Sequence, residues 1–73
     1  MSHTVTAELV ATVLSVSVEV GQKVEATDEV CLLDSMKMEI PVPADVAGTV
    51  TEVVVHAGDH VRDGDPLVII TRA

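Results

Sequence analysis

One residue in this chain is placed to carry chemistry. Lys37 stands between Met36 and Met38, inside the run Asp34-Ser35-Met36-Lys37-Met38-Glu39. Lysine offers a primary amine on a flexible four-carbon stem. An ordinary exposed lysine is protonated at neutral pH and is a poor nucleophile. Such an amine suits acylation by another enzyme, which must bring both the activated acyl donor and the deprotonation. The only other lysine is Lys23, expected in a loop of the first half of the chain with neither hairpin nor methionines. Met36 and Met38 are soft, adaptable side chains that could meet partner surfaces or simply pack. Asp34 and Glu39 read as a solvated flank.

Other candidate groups form no comparable constellation. His56 and His60 are four apart, but they span a strand end and a turn, and zinc asks for three or four convergent ligands. Asp59, Asp63 and Asp65 lack the bidentate glutamate and flanking helices of a calcium loop; they read as turn residues. Cys31 lies in the apolar run Val30-Cys31-Leu32-Leu33 and reads as a small buried hydrophobe. No Ser-His-Asp or Cys-His arrangement suggests nucleophilic catalysis.

The elements that position Lys37 come from a duplication. Shifted by 37, the chain lies on itself: Thr12, Val13, Val16, Val18, Gly21, Val24 and Asp28 fall on Thr49, Val50, Val53, Val55, Gly58, Val61 and Asp65. Each copy ends in an apolar run, Val30–Leu33 and Leu67–Ile70. Two copies are too few for a solenoid, so a pseudo-symmetric pair packed face to face is expected. Val16, Val18 and Val20 alternate with polar residues, the mark of half-buried strands. Gly21, Gly58 and Asp63-Gly64 mark turns, and Pro41, Pro43 and Pro66 break any helix. Strands are expected near 3–8, 11–19, 29–35, 38–43, 48–56 and 67–71, with short ones near 23–25 and 60–62.

Lys37 falls in the junction between the copies, where alternation resumes at once with Met38, Ile40 and Val42. The reversal must be tight, and tight hairpin turns favour glycine or asparagine because φ is positive. Neither is present. A local rule broken in this way often marks a function. The repeat offset puts the hairpin and the chain termini at opposite ends of the molecule.

Composition narrows the rest. With 73 residues and no Phe, Tyr or Trp, this is one small domain, residues 1–73, with an aliphatic core. Sixteen residues are valine, which suits a pleated surface. Twelve acids against four basic residues give a net charge of −8. That charge disfavours nucleic acid and anionic membranes as partners and favours a soluble monomer. One cysteine excludes an internal disulfide. No apolar run reaches the length of a membrane helix, and no signal sequence is legible, so a cytoplasmic protein is expected.

On these residues the chain resembles the biotinyl/lipoyl attachment domain family, and within it the small stand-alone biotin carboxyl carriers. Met36-Lys37-Met38 is similar to their Met-Lys-Met motif, and the likeness extends over nearly all the chain. It implies an all-β flattened barrel-sandwich of two four-stranded antiparallel sheets with pseudo-two-fold symmetry. It implies that a biotin protein ligase joins biotin to Lys37 through an amide, with Met36 and Met38 as the flanking recognition motif. The tethered biotin then carries carboxylate between biotin carboxylase and carboxyltransferase components, and the domain itself is not an enzyme. The chain departs from the family pattern at Asp34, Ser35, Thr27, Ala11 and Glu8-Leu9-Val10, and it has no inserted thumb segment. A lipoyl carrier of the same fold and an unmodified interaction module are the alternatives. The methionines beside Lys37 argue against the first, and the absence of glycine at the turn argues against the second.

Overall fold

The computed structural model describes all 73 residues and contains eight strands. They are β1 (Ser2–Thr6), β2 (Ala11–Val16), β3 (Lys23–Val24), β4 (Glu29–Ser35), β5 (Met38–Pro43), β6 (Gly48–Val53), β7 (His60–Val61) and β8 (Pro66–Arg72). One antiparallel sheet has the order β1-β8-β6-β3 and the other β5-β4-β2-β7. Adding 37 to β2, β3 and β4 returns the bounds of β6, β7 and β8, and β1 falls on β5. The same shift converts one sheet order into the other. The duplication read from the sequence is therefore a structural two-fold, and Lys37 and the chain termini occupy equivalent places in the two halves.

Burial follows the same rule. β2 and β6 share one alternation of buried and exposed residues, as do β3 and β7. Val30, Leu33, Leu67, Val68 and Ile70 are almost wholly buried between the sheets with Val13 and Val50. No polar or charged residue is buried. The two apolar runs lie on β4 and β8, each flanked by two other strands; all their residues are buried except Leu32 and Ile69, which are half-buried. The prolines sit where a missing amide does least harm: Pro41 and Pro43 on edge strand β5, and Pro66 at the first position of β8.

The turns explain several repeated residues. Asp28 Oδ2 accepts from the Glu25 amide and Asp65 Oδ2 from the Arg62 amide, both at 2.9 Å. Asp59 Oδ2 takes the His56 amide at 2.9 Å, and Gln22 Oε1 takes that of Glu19 at 3.1 Å. The aspartates are thus turn-closing acceptors. One departure from the repeat is also accounted for: Gly64 adopts φ +93, whereas Thr27 does not take a positive φ. These two equivalent turns have different backbones.

Three strands end earlier than expected. β1 stops at Thr6, β2 at Val16 and β6 at Val53. The cause is that β2 and β3 belong to different sheets, as do β6 and β7, so the linking segments must cross over. The Ser17 amide still bonds the Val30 carbonyl on one side, but Gly21 already bonds Val50 on the other. Val18 and Val55 are buried in the crossings, whereas Val20 is 66% exposed and belongs to no strand. Lys23 lies not in a loop but on β3, opposite Thr49.

Gly48 is needed for close strand approach. A Cβ there would run into the Thr71 carbonyl oxygen and come within 2.9 Å of Ile70 Cγ2. Its repeat partner Ala11 is accommodated because β2 meets β4 first at Thr12–Asp34, whereas β6 meets β8 from Gly48–Arg72. Gly48→Ala should destabilise the fold by about 2 kcal/mol, as overpacking commonly does. The urea midpoint of the variant against wild type checks this.

Candidate functional site

β4 and β5 pair in register up to Asp34–Glu39 and Ser35–Met38. That register leaves Met36 and Lys37 to make the whole reversal. Their φ angles are +50 and +67, the pair of left-handed residues that a type I′ hairpin demands. For an L residue with a side chain each such conformation costs roughly 1–2 kcal/mol. Two of the three non-glycine residues with positive φ in the chain are these two.

The turn makes Lys37 an exposed tip residue. Met36 is 92% exposed and Met38 is 62% exposed, so neither is a core residue. The one contact between a basic side chain and a carboxylate joins His56 Nδ1 and Asp59 Oδ2 at 3.9 Å, which leaves the Lys37 amine without a carboxylate partner. Asp34 and Glu39 stand directly opposite each other across the hairpin base, both exposed. Like charges so placed weaken a strand pair. The hairpin thus presents a free cation, two thioethers and a doubly acidic base, at a net cost to the local fold.

Ser35 faces away from that tip. Its hydroxyl donates to the Val10 carbonyl at 2.9 Å and ties the base of the hairpin to the β1–β2 loop. Beside it runs a groove of about 750 Å³ that includes Met36, Val10, Thr12, His60 and Arg62 among its walls. Sequence reading did not anticipate this groove, because its walls come from three stretches far apart in the chain. The histidines separate: His60 Nδ1 lies 3.1 Å from Thr12 Oγ1, while His56 approaches Asp59. Nowhere do three His, Cys, Asp or Glu gather as a metal site would require. Cys31 is fully buried, and its thiol is pushed up from 9.0 to about 11 by burial and, secondarily, by the Glu29 charge.

A lysine held at the tip of a strained β-hairpin, at the midpoint of a two-fold sandwich, has counterparts among known proteins. Residues 2–70 match the family described as biotin-requiring enzyme, the biotin/lipoyl domain. The chain belongs to the biotinyl/lipoyl attachment family. It is 48% identical over 71 residues to the biotinylated protein TB7.3 homolog of Mycobacterium leprae, covering 97% of this chain and all of that one. It is 40% identical over 70 residues to the biotin/lipoyl attachment protein of Bacillus subtilis, covering 96% of each. Among solved structures, a single-chain, multi-domain long-chain acyl-CoA carboxylase superposes with a TM-score of 0.91 at 32% identity, covering 99% of this chain and 7% of that one. The lipoyl domain of the 2-oxoglutarate dehydrogenase complex from Azotobacter has a TM-score of 0.74 at 24% identity, over 93% of this chain and 89% of that one; that likeness is one of fold. Biotinyl/lipoyl domains in this comparison thus occur both as small proteins of this length and as minor parts of very long chains.

Two outcomes test the site's physics. Replacing Met36-Lys37 by Asn-Gly should raise stability by about 1–2 kcal/mol, the strain released when left-handed positions receive residues that tolerate them. A higher urea midpoint with an unchanged slope is the expected reading. The Cys31 thiol sets a second test. Below pH 9 it is protonated in both states and makes no difference to pH dependence. Between pH 9 and about 11 the unfolded chain loses the proton while the folded chain keeps it, so stability falls as pH rises. Cys31→Ala should flatten that part of a plot of urea midpoint against pH.

Proposed function

We propose that Lys37 is the residue to which a biotin protein ligase attaches biotin, and that residues 1–73 serve as a non-catalytic biotin carrier for biotin-dependent carboxylases. The observation that carries this reading is an unpaired, exposed lysine held at φ +67 in a turn where glycine would cost less. Conformational strain persists when something other than stability maintains it. Support for biotin over lipoate comes from Met36 and Met38 on both sides of the lysine and from relatives named as biotinylated proteins and biotin carboxyl carriers. Relatives named pyruvate carboxylase and propionyl-CoA carboxylase support carboxylases as the partners.

The residues fit the group. Lys37 is accessible, and its amine has no competing ion pair. In the attachment step the Lys37 ammonium loses one proton to free its lone pair, the nitrogen bonds to the activated biotinyl carbonyl and loses a second proton, and the bond to the activating group breaks so that this group leaves with its electron pair. The product amide is uncharged, so the net charge passes from −8 to −9, that is −8 minus 1. Once attached, biotin supplies a ureido nitrogen that can accept and release carboxylate. The chain's own contribution is position and tether. Met36 and Met38 provide adaptable surface on either side of the amine, and the rigid sandwich keeps the arm's root at one place, which raises the effective concentration of the group at partner active sites. A biotin carboxylase and a carboxyltransferase are the expected partners. A monomer in the cytoplasm, bound to neither nucleic acid nor membrane, accords with the acidic charge; no helix is long and apolar enough to cross a membrane.

The test is intact-mass spectrometry after incubation with biotin, ATP and a biotin ligase. Wild type should gain one biotin, and Lys37→Ala should gain none although Lys23 remains. Label on Lys23, or no label on folded wild type, would overturn the assignment.

A further inference from the structure

The two-fold makes one surface groove twice. The groove of about 210 Å³ near the termini is lined by seven residues, Lys23, Val24, Glu25, Ala47, Gly48, Thr49 and Ala73, and every one is the repeat partner of a residue lining the groove of about 750 Å³ beside the lysine hairpin. The fold therefore supplies the depression, and the side chains decide what each copy can hold. This gives an internal control that few surface grooves have.

The differences all point one way. Where the small groove has Ala47 and Ala73, the large one has Val10 and Met36, exposed by 72% and 92%. Where the small groove has Lys23 and Glu25, the large one has His60 and Arg62. Two hydrogen bonds hold the walls of the large groove in place. Ser35 Oγ donates to the Val10 carbonyl at 2.9 Å, and Thr12 Oγ1 lies 3.1 Å from His60 Nδ1. The second contact fixes the imidazole and leaves its other nitrogen unused. Two carboxylates, Asp34 and Asp65, also line it.

Resting on the assignment of biotin to Lys37, we propose that the biotinyl arm folds back into this groove when it is not in a partner's active site. Met36 is both the neighbour of Lys37 and a wall of the groove, so the arm starts at its rim. The apolar surface of Val10 and Met36 suits the arm's methylenes and thioether ring. The ureido group is a carbonyl acceptor between two N–H donors. Arg62 supplies donors for the carbonyl, and Asp34 supplies an acceptor for the N–H groups. The volume lies in the range of small-molecule sites, but the groove is open, so docking is weak and reversible, as a carrier needs.

Amide spectra of ¹⁵N-labelled protein before and after enzymatic biotinylation test this, with the single adduct first verified by mass. Docking should shift the amides of Val10, Thr12, His60 and Arg62, while Lys23, Val24, Ala47 and Thr49 in the duplicate groove stay unmoved. Shifts confined to residues 35–38, or equal shifts at both grooves, would overturn it. Absence of the adduct would overturn the attachment assignment together with the docking, whereas an adduct without remote shifts overturns the docking alone. A second reading comes from the rate of capture by avidin. An arm docked half the time is captured about twofold more slowly than a free one. Val10→Ser, at an exposed position, should therefore speed capture of the biotinylated protein by about that factor; an unchanged rate would count against the groove.

Discussion

The structure depends on enclosing two short aliphatic runs, Val30–Leu33 on β4 and Leu67–Ile70 on β8, between two sheets. A chain this small buries only roughly 60% of its unfolded surface, and with no aromatic residue it has little apolar volume to spare. Each run lies away from its sheet's edges, with all its side chains buried except Leu32 and Ile69, which are half-buried. Once β4 is held in that way, the register with β5 follows from Leu33–Ile40 and Cys31–Val42. A slip of one residue would turn every buried side chain outward. The register then leaves just Met36 and Lys37 to close the hairpin.

The site is therefore an outcome of core packing rather than of local preference. Met36 and Lys37 are pressed into left-handed geometry because β4 and β5 must pair up to Ser35–Met38. The strain of roughly 1–2 kcal/mol per residue is large beside the 5–15 kcal/mol of net stability typical of a domain. Asp34 facing Glu39 adds like-charge repulsion at the same place. Three unfavourable features meet at one hairpin, and Asp45 is the only other non-glycine residue with a positive φ.

The two-fold lets the chain serve as its own reference. At the turns, Asp28 and Asp65 perform the same service at the same 2.9 Å, so identity across the repeat marks fold. Across the grooves, Val10 against Ala47 and His60 against Lys23 differ, so difference across the repeat marks what the fold leaves to the side chains. The hairpin is the extreme case. The place of Met36 is taken in the other half by Ala73, and the Lys37 turn has no equivalent within the chain.

The sequence alone was sufficient for the eight strands, the two-fold, the aliphatic core and the lysine, because each is written in period-two alternation or in the 37-residue offset. It also located the positive-φ turn, because steric rules for a tight reversal do not depend on distant residues. It ran β2 and β6 too far, since Val18 and Val55 keep the alternation while the chain has already left one sheet for the other; alternation reports burial, and burial persists through a crossing. It expected a short strand near 23–25 yet read Lys23 as a loop residue; the strand was right, and Lys23 lies on β3. Only the tertiary structure decided the hydrogen bond from Ser35 to Val10 and the groove joining residues 9–12, 34–36 and 60–65. Those stretches meet through strand pairing across two sheets, and no local pattern of side chains records which surfaces will become neighbours.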